Sequence, residues 1–314
     1  GDAMNKPAKL PTTLQEAIQY FADQQRCQDL LSAMRWPHGP TCPNCRSHEH
    51  GYVKSRSIYQ CKMCRKQYSA KVGTIFEDSP IKLDKWFCAL WMITNAKNGV
   101  SSYEIARSLG VTQKTAWFMM HRIRLALQHG SIDRKLMGDV EVDETYIGGK
   151  ARNMHQDKRE KLMRNEGSFR KAVVIGMLER KGEVRTAVLR TASEKLLGKS
   201  VREHVVPGSN LITDEAAGYI KVGREYAHKV INHAETYVQG NVHTNSIENY
   251  WSLLKRGIKG TYISVEPFHL FRYLDEQSFR FNKRKDNDQG RFMAALSMIE
   301  GKRVQYRQLI GLDN

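Results

Sequence analysis

The sequence predicts a mixed α/β protein in which a small metal-knit module and a helical pair precede a domain built on a central sheet. Three observations carry that prediction. Four of the six cysteines fall as Cys42-x2-Cys45 and Cys61-x2-Cys64, with 15 residues between the pairs; this is the spacing of a four-thiolate zinc site made of two knuckles. Ser101 to Trp117 reads as a helix, a Gly-centred turn and a second helix. From Leu136 onward short apolar runs alternate with helical patterns, the texture of a sheet with helices laid against it.

Size and charge narrow the class. A chain of 314 residues suggests two or three domains. The formal net charge of +17 and the pI near 9.6 put broad positive potential on the surface, which favours polyanions. A merely soluble basic protein is the plainer alternative. No apolar run approaches the ~20 residues of a membrane span. No signal-like pattern opens the chain, and Gly1–Ala3 before Met4 reads as a tag remnant. A cytoplasmic, nucleic-acid-facing protein with no membrane partner is expected, and in such a reducing compartment the cysteine pairs read as metal ligands rather than disulfides. Cys27 and Cys88 lie in apolar helical patterns and read as core residues.

Five segments follow along the chain. Residues 1–36 form a helical segment, with Thr13-x-x-Glu16 as a capping-box signature opening one helix from Thr13 to Met34. Residues 37–79 form the ribbon, with strands at Tyr52-Val53, Ser57–Gln60 and Tyr68–Thr74, and a core too small to fold without metal. Arg46, Lys54, Arg56, Lys62, Arg65 and Lys66 decorate it. It either touches phosphates or only braces its neighbours. Residues 80–132 hold a helix from Leu83 to Lys97 and then the helix-turn-helix pattern. In that geometry Gln113, Lys114 and Trp117, near the start of the second helix, face a DNA groove; many helical hairpins share the pattern without touching DNA.

Residues 133–285 carry strands at Gly138–Ile147, Ala172–Leu178, Glu183–Leu189, Asn210–Thr213 and His228–Asn232. Helices are expected at Glu194–Val205, Asn245–Arg256 and Pro267–Lys283, and Lys150–Arg170 reads as a charged loop or linker. Residues 286–314 form a partly helical tail.

Three acids stand out. Asp143 lies in the first strand of that domain, Asp214 ends the strand Asn210–Thr213, and Glu248 opens a helix. Two strand-borne aspartates and a helix-borne glutamate supply the hard oxygens that hold Mg²⁺ for phosphodiester chemistry. Surface aspartates at strand ends would give the same pattern. Period-two alternation places Asp139, Glu141, Asp143 and Thr145 on one face, so spacing alone does not choose between Glu141 and Asp143. Asn245-x-x-Glu248 also resembles a capping box. On the other hand Glu248, Ser252, Lys255 and Lys259 share a helical face, as suits a metal ligand beside a phosphate clamp.

At this point the chain resembles the bacterial insertion-sequence transposases of the DDE type that carry an N-terminal zinc ribbon. The carriers are Arg35-Trp-Pro37 before the first cysteine pair, the second pair with its Tyr68–Phe76 tail, Val142–Gly149, Thr213-Asp214, and His243–Glu248 with Trp251–Gly257. The resemblance implies an RNase H-like catalytic core. It also implies cleavage and strand transfer at terminal inverted repeats with Mg²⁺ or Mn²⁺, zinc in the ribbon, and a homodimer or larger assembly on double-stranded DNA near the nucleoid. It assigns the metal-binding acids to Asp143, Asp214 and Glu248 and the accompanying basic residue to Lys255, and thereby selects Asp143 over Glu141. Lys255 and Arg256 would hold flanking phosphate, and Lys259 would add a further DNA contact. Relatives that use asparagine as third ligand keep Asn245 and Asn249 in view. Two other classes compete: a silent, transposase-derived DNA-binding regulator, which should have lost an acid, and an RNase H-like nuclease or resolvase, which does not need a separate sequence-reading module.

Overall fold

The computed structural model describes residues 9–128, 134–148, 156–157, 160, 171–214, 217–219, 221–231, 244–263 and 265–310. Gly1–Ala3, nearly all of the charged stretch Lys150–Arg170, Asn232 and His243 lie outside the described residues. The chain divides into two compact units, one of residues 1–128 with 283–314 and one of residues 129–282.

The first unit opens with α1 (Leu14–Phe21) and α2 (Gln24–Arg35). The Thr13/Glu16 capping box is formed, but the single helix expected over this stretch is two. The reason is Asp23, whose carboxylate accepts from the N–H groups of Gln25 and Arg26 and so starts a fresh helix. The ribbon follows as β1 (His50–Val53), β2 (Ile58–Cys61) and β3 (Gln67–Tyr68), all antiparallel. β3 is shorter than the expected run to Thr74, because Lys71–Thr74 closes a turn through Thr74 N–H to Lys71 C=O, with Gly73 at φ +77°. Tyr59 pairs across the strands with Tyr52 and Tyr68, and its ring stacks on that of Tyr68 at 5.4 Å.

Helices α3 (Leu83–Asn95), α4 (Ser102–Leu109) and α5 (Gln113–Leu127) complete the N-terminal part. Ser101 and Thr112 cap α4 and α5, and Gly110 ends α4 in the left-handed conformation that glycine adopts most readily. The stretch read as a tail returns to this unit. Phe292, on α9 (Asp288–Leu296), packs its ring against Phe21, Phe87 and Trp91 at 5.1, 5.8 and 5.5 Å. A final turn, α10, spans Tyr306–Leu309.

The second unit is a three-layer arrangement around a mixed five-stranded sheet in the order β6-β5-β4-β7-β8. Its strands are β4 (Asp139–Ile147), β5 (Ala172–Glu179), β6 (Val184–Leu189), β7 (Asn210–Thr213) and β8 (Ala227–Val230). β4, β5 and β6 run antiparallel in sequence, whereas β7 and β8 lie parallel to β4. Alternation along β4 separates two cores. Val140 and Val142 pack with α6 (Glu194–His204) on one face. Glu141, Asp143 and Ile147 share the other face, where Ile247, Trp251 and Leu254 of α7 (Asn245–Gly257) and Leu270 and Leu274 of α8 (Leu270–Asn282) close over Val174 and Leu178.

After α7 the chain makes a π turn, Ile258–Tyr262, ended by Ile263 at φ +60°. Lys259 therefore leaves the α-helical register that would align it with Glu248, and stands exposed. Tyr262 and Arg280 both bond to Glu276, a wholly buried carboxylate, and fix this turn against α8.

Candidate active site and metal centre

The ribbon's donors come together as the spacing required. Cys42 Sγ lies 3.7 Å from Cys64 Sγ and Cys45 Sγ 3.5 Å from Cys61 Sγ. All four sulfurs fall within 4.8 Å of one another. A tetrahedron with Zn–S bonds of about 2.3 Å has sulfur–sulfur edges of about 3.8 Å, so the four thiolates fit zinc. Both knuckles turn the same way: the residue after each pair, Arg46 and Arg65, sits at positive φ. Hydrogen bonding from the Lys66 backbone draws the Cys64 thiol down to about 6. Burial instead pushes the Cys27 and Cys88 thiols up to about 12 and 11, in keeping with inert core positions.

In the sheet, Val142 of β4 registers with Thr213 of the parallel β7. The next residues are Asp143 and Asp214, so two adjacent parallel strands bring two carboxylates to one edge. Among the described residues neither aspartate has a Lys or Arg partner. Asp143 accepts from Trp251 Nε1–H at 2.9 Å and from the Glu144 N–H at 2.8 Å. Burial and then the Asp214 charge push its carboxyl up to about 6, against those two bonds. Uncompensated like charges at a half-buried edge are what a bound cation relieves. Hard carboxylate oxygens suit Mg²⁺ or Mn²⁺.

The raised Asp143 has a stability signature. Its ordinary value is 3.8 and its folded value about 6, so between those two pH values the folded state holds the proton that the unfolded state has lost. The metal-free protein is therefore expected to lose stability as pH rises from about 4 to about 6. Thermal melting of metal-free wild type and Asp143→Asn across that window tests this; the variant should lack this decline.

Glu144 points to the opposite face, where the Tyr219 hydroxyl donates to it at 2.6 Å. Burial raises its carboxyl above the usual range, with the Asp214 charge adding to the effect. A third acid therefore feels the Asp214 charge.

Glu141 has a different place. It is 0% exposed. One oxygen accepts from the Ser246 and Ile247 N–H groups, each at 3.0 Å, and the other from Arg180 Nε at 3.0 Å. The capping box expected from Asn245 and Glu248 is not formed. The N-cap is Thr244, whose side chain makes no capping bond and instead donates to Glu248 Oε1 at 3.1 Å.

Glu248 stands exposed on the first turn of α7, one turn before Trp251. Lys255 is half-buried one turn beyond Trp251, and Arg256 is exposed. Asn245 and Asn249 are exposed as well. Among the described residues the four cysteines are the one group of three or more metal donors drawn tightly together; the structure couples Asp143 to Asp214 and leaves Glu248 on the flank of the helix whose indole reaches Asp143.

That reach depends on Gly176, which pairs with Asp143 across β4 and β5. A Cβ there would come within 2.6 and 2.7 Å of the Trp251 ring and 2.8 Å of Ile247 Cδ1. A glycine inside an otherwise apolar strand was the sequence signal for such a close approach. Gly176→Ala is expected to cost about 1–3 kcal/mol by overpacking and to lift Trp251 from Asp143; denaturant melts and tryptophan emission check both effects.

In the first unit Gln113 donates to Ser102 Oγ at 2.9 Å, and Trp117 packs on His121. Lys114 is exposed, yet its Nζ lies 4.6 Å over the Tyr306 ring, so α10 borders the start of α5.

Residues 135–282 match the family model of the ISXO2-like transposase domain, and residues 22–67 match that of the transposase zinc-ribbon domain. The chain therefore carries a transposase domain of that family and, ahead of it, a transposase zinc ribbon. A relative from Halobacterium salinarum, described as an uncharacterized protein in transposable element ISH50, is 28% identical over 252 residues, spanning 76% of this chain and 84% of its own length. The transposase domain contains all three sequence-selected acids and Lys255, and the zinc-ribbon match contains all four cysteines. Among the described residues no helix is long and apolar enough to cross a membrane.

Proposed function

We propose that this protein is a transposase that binds the terminal inverted repeats of its element and performs two-metal-ion cleavage and strand transfer, with Asp143, Asp214 and Glu248 as ligands. The observation that carries the reading is the Asp143–Asp214 juxtaposition on adjacent parallel strands, without a cationic partner among the described residues. The strand order β6-β5-β4-β7-β8, with β5 running opposite to the other four strands, supports an RNase H-like core. Two Mg²⁺ or Mn²⁺ ions held there would activate the attacking oxygen and stabilise the leaving one.

The chain's own residues do the rest. Trp251 and the Glu144 N–H fix the Asp143 carboxylate and leave its orientation little freedom. Glu248 would close the ligand set from the helix flank. Lys255 and Arg256 would hold the phosphate backbone next to the scissile bond, and Lys259, on the π turn, would extend that contact. α4 and α5 supply a helix-turn-helix; Gln113, Lys114 and Trp117 would meet the repeat in the major groove. The basic ribbon would lengthen the footprint along phosphates. Joining two ends requires a dimer or larger assembly on DNA, acting in the cytoplasm at the nucleoid.

The test is incubation with an end-containing duplex and a target duplex in Mg²⁺ or Mn²⁺. Nicked ends plus joined products are expected. Tight binding without nicking would favour a DNA-binding regulator, and hydrolysis without joining a nuclease of the same fold.

A further inference from the structure

Glu141 offers no ligand oxygen to the site edge, yet it touches the helix that carries the third acid. We propose that Glu141 is a positioning residue: a buried carboxylate that fixes the start of α7 to the strand bearing Asp143, and so sets where Glu248 stands. The proposal rests on the reading of Glu248 as third ligand.

An α-helix leaves its first N–H groups without internal partners, and a side chain just before the helix ordinarily serves them. Here the local cap is diverted, because the Thr244 hydroxyl donates to Glu248. The N–H groups of Ser246 and Ile247 are served instead from another element, by Glu141 Oε2. Its second oxygen is taken by Arg180 Nε, on the turn after β5. The negative charge faces the positive end of the helix and a guanidinium, which is how an ion with 0% exposure is tolerated.

The consequence is geometric. Glu141 and Asp143 share a face of β4 and lie two residues apart, about 7 Å along the strand. Glu141 holds α7 at Ser246 and Ile247, and Asp143 holds it again at Trp251. Glu248 lies on the turn between these two attachments. The strand that supplies the first acid therefore also sets the height and rotation of the helix supplying the third. A helix capped from its own loop would be as well satisfied but free to slide; a cap borrowed from β4 removes that freedom.

The test uses full-length protein and Mn²⁺ binding followed by paramagnetic resonance, with single-turnover cleavage of an end duplex as second readout. Glu141→Gln keeps the size but accepts less well and breaks the charged pair with Arg180. It should weaken Mn²⁺ binding by about 10–100-fold, as loss of a group supporting metal ligands does, while affinity for the end duplex is unchanged. Glu141→Asp keeps the charge for Arg180 but is one methylene short, guards against a variant that simply misfolds, and should show the same direction of change. The deciding comparison is Glu141→Gln with Glu248→Gln: in the double variant the Glu141 change should cost Mn²⁺ affinity nothing further. An equal further loss in the double variant would make Glu141 a general fold residue and overturn the proposal, as would unchanged Mn²⁺ affinity in both single Glu141 variants. If Glu248→Gln alone binds Mn²⁺ and cleaves like wild type, the third-ligand assignment fails first, and this proposal with it.

Discussion

Asp143→Asn is expected to abolish strand cleavage, by at least about 10³-fold, because a metal-ligand oxygen contributes several kcal/mol of transition-state stabilisation and about 4 kcal/mol is that factor. The substitution is nearly isosteric. Its amide oxygen can still accept from the Glu144 N–H, which wild-type Oδ1 does at 2.8 Å, but the NH₂ group cannot accept from the Trp251 indole as Oδ2 does. What is lost is the anion. The fold should not suffer, because burial and the Asp214 charge already work against ionisation of Asp143, so the metal-free variant should melt at or above the wild-type temperature at neutral pH. End binding should persist, since the basic ribbon and the α4–α5 pair proposed to read the repeat are in the other unit. Gel-shift and cleavage assays on one end duplex separate the two effects; loss of binding equal to loss of cleavage would mean that Asp143 holds structure rather than metal.

Zinc removal is the second large effect. The ribbon's core amounts to Cys42, Cys61 and Tyr68, with Trp36, Tyr59 and Cys64 packed beside them. So small a cluster cannot offset the conformational entropy of ordering three short strands. Structural zinc contributes about 10–16 kcal/mol of binding free energy to folding in comparable knuckles. Chelation, or Cys61→Ser, should therefore unfold the ribbon and open residues 37–79 to protease. The sheet of the second unit, whose strands draw nothing from the cysteines, should keep its far-ultraviolet dichroism. A ribbon that stays protease-resistant after metal loss would refute the four-thiolate assignment. Salt-dependent end binding should fall along with the ribbon if Arg46, Lys62, Arg65 and Lys66 meet phosphates.

Much of this was legible in the sequence wherever a single local pattern decides. The cysteine spacing gave the metal cluster, the Thr13/Glu16 box gave the start of α1, and the Ser101 and Thr112 caps with Gly110 gave α4 and α5. The strands of the second unit were readable because apolar runs are bounded by turns. What periodicity could not supply was pairing. That Asp143 and Asp214 sit side by side follows from the parallel register of β4 with β7, a contact between residues 71 positions apart in sequence. Nor could spacing tell Glu141 from Asp143, because both lie on one face of β4. Their different surroundings are tertiary: one is buried beneath the start of α7 with Arg180, the other lies where the ladder with β7 ends, under Trp251. The Asn245–Glu248 capping reading failed for the same reason, since the competing cap came from a strand about a hundred residues earlier. Gly176 was a readable hint, a glycine within an apolar strand, whose meaning only the indole above it explains.

The central claim is that three carboxylates from two strands and one helix grip a pair of divalent ions at a DNA phosphate. The most direct measurement is anomalous scattering from Mn²⁺ in crystals of the full chain bound to an end duplex. The account predicts two peaks about 3.5–4 Å apart, with Asp143 and Asp214 as ligands and Glu248 completing the set. A complex in which Mn²⁺ is absent from this edge, or in which Glu248 lies beyond reach of ions held by the two aspartates, would contradict it.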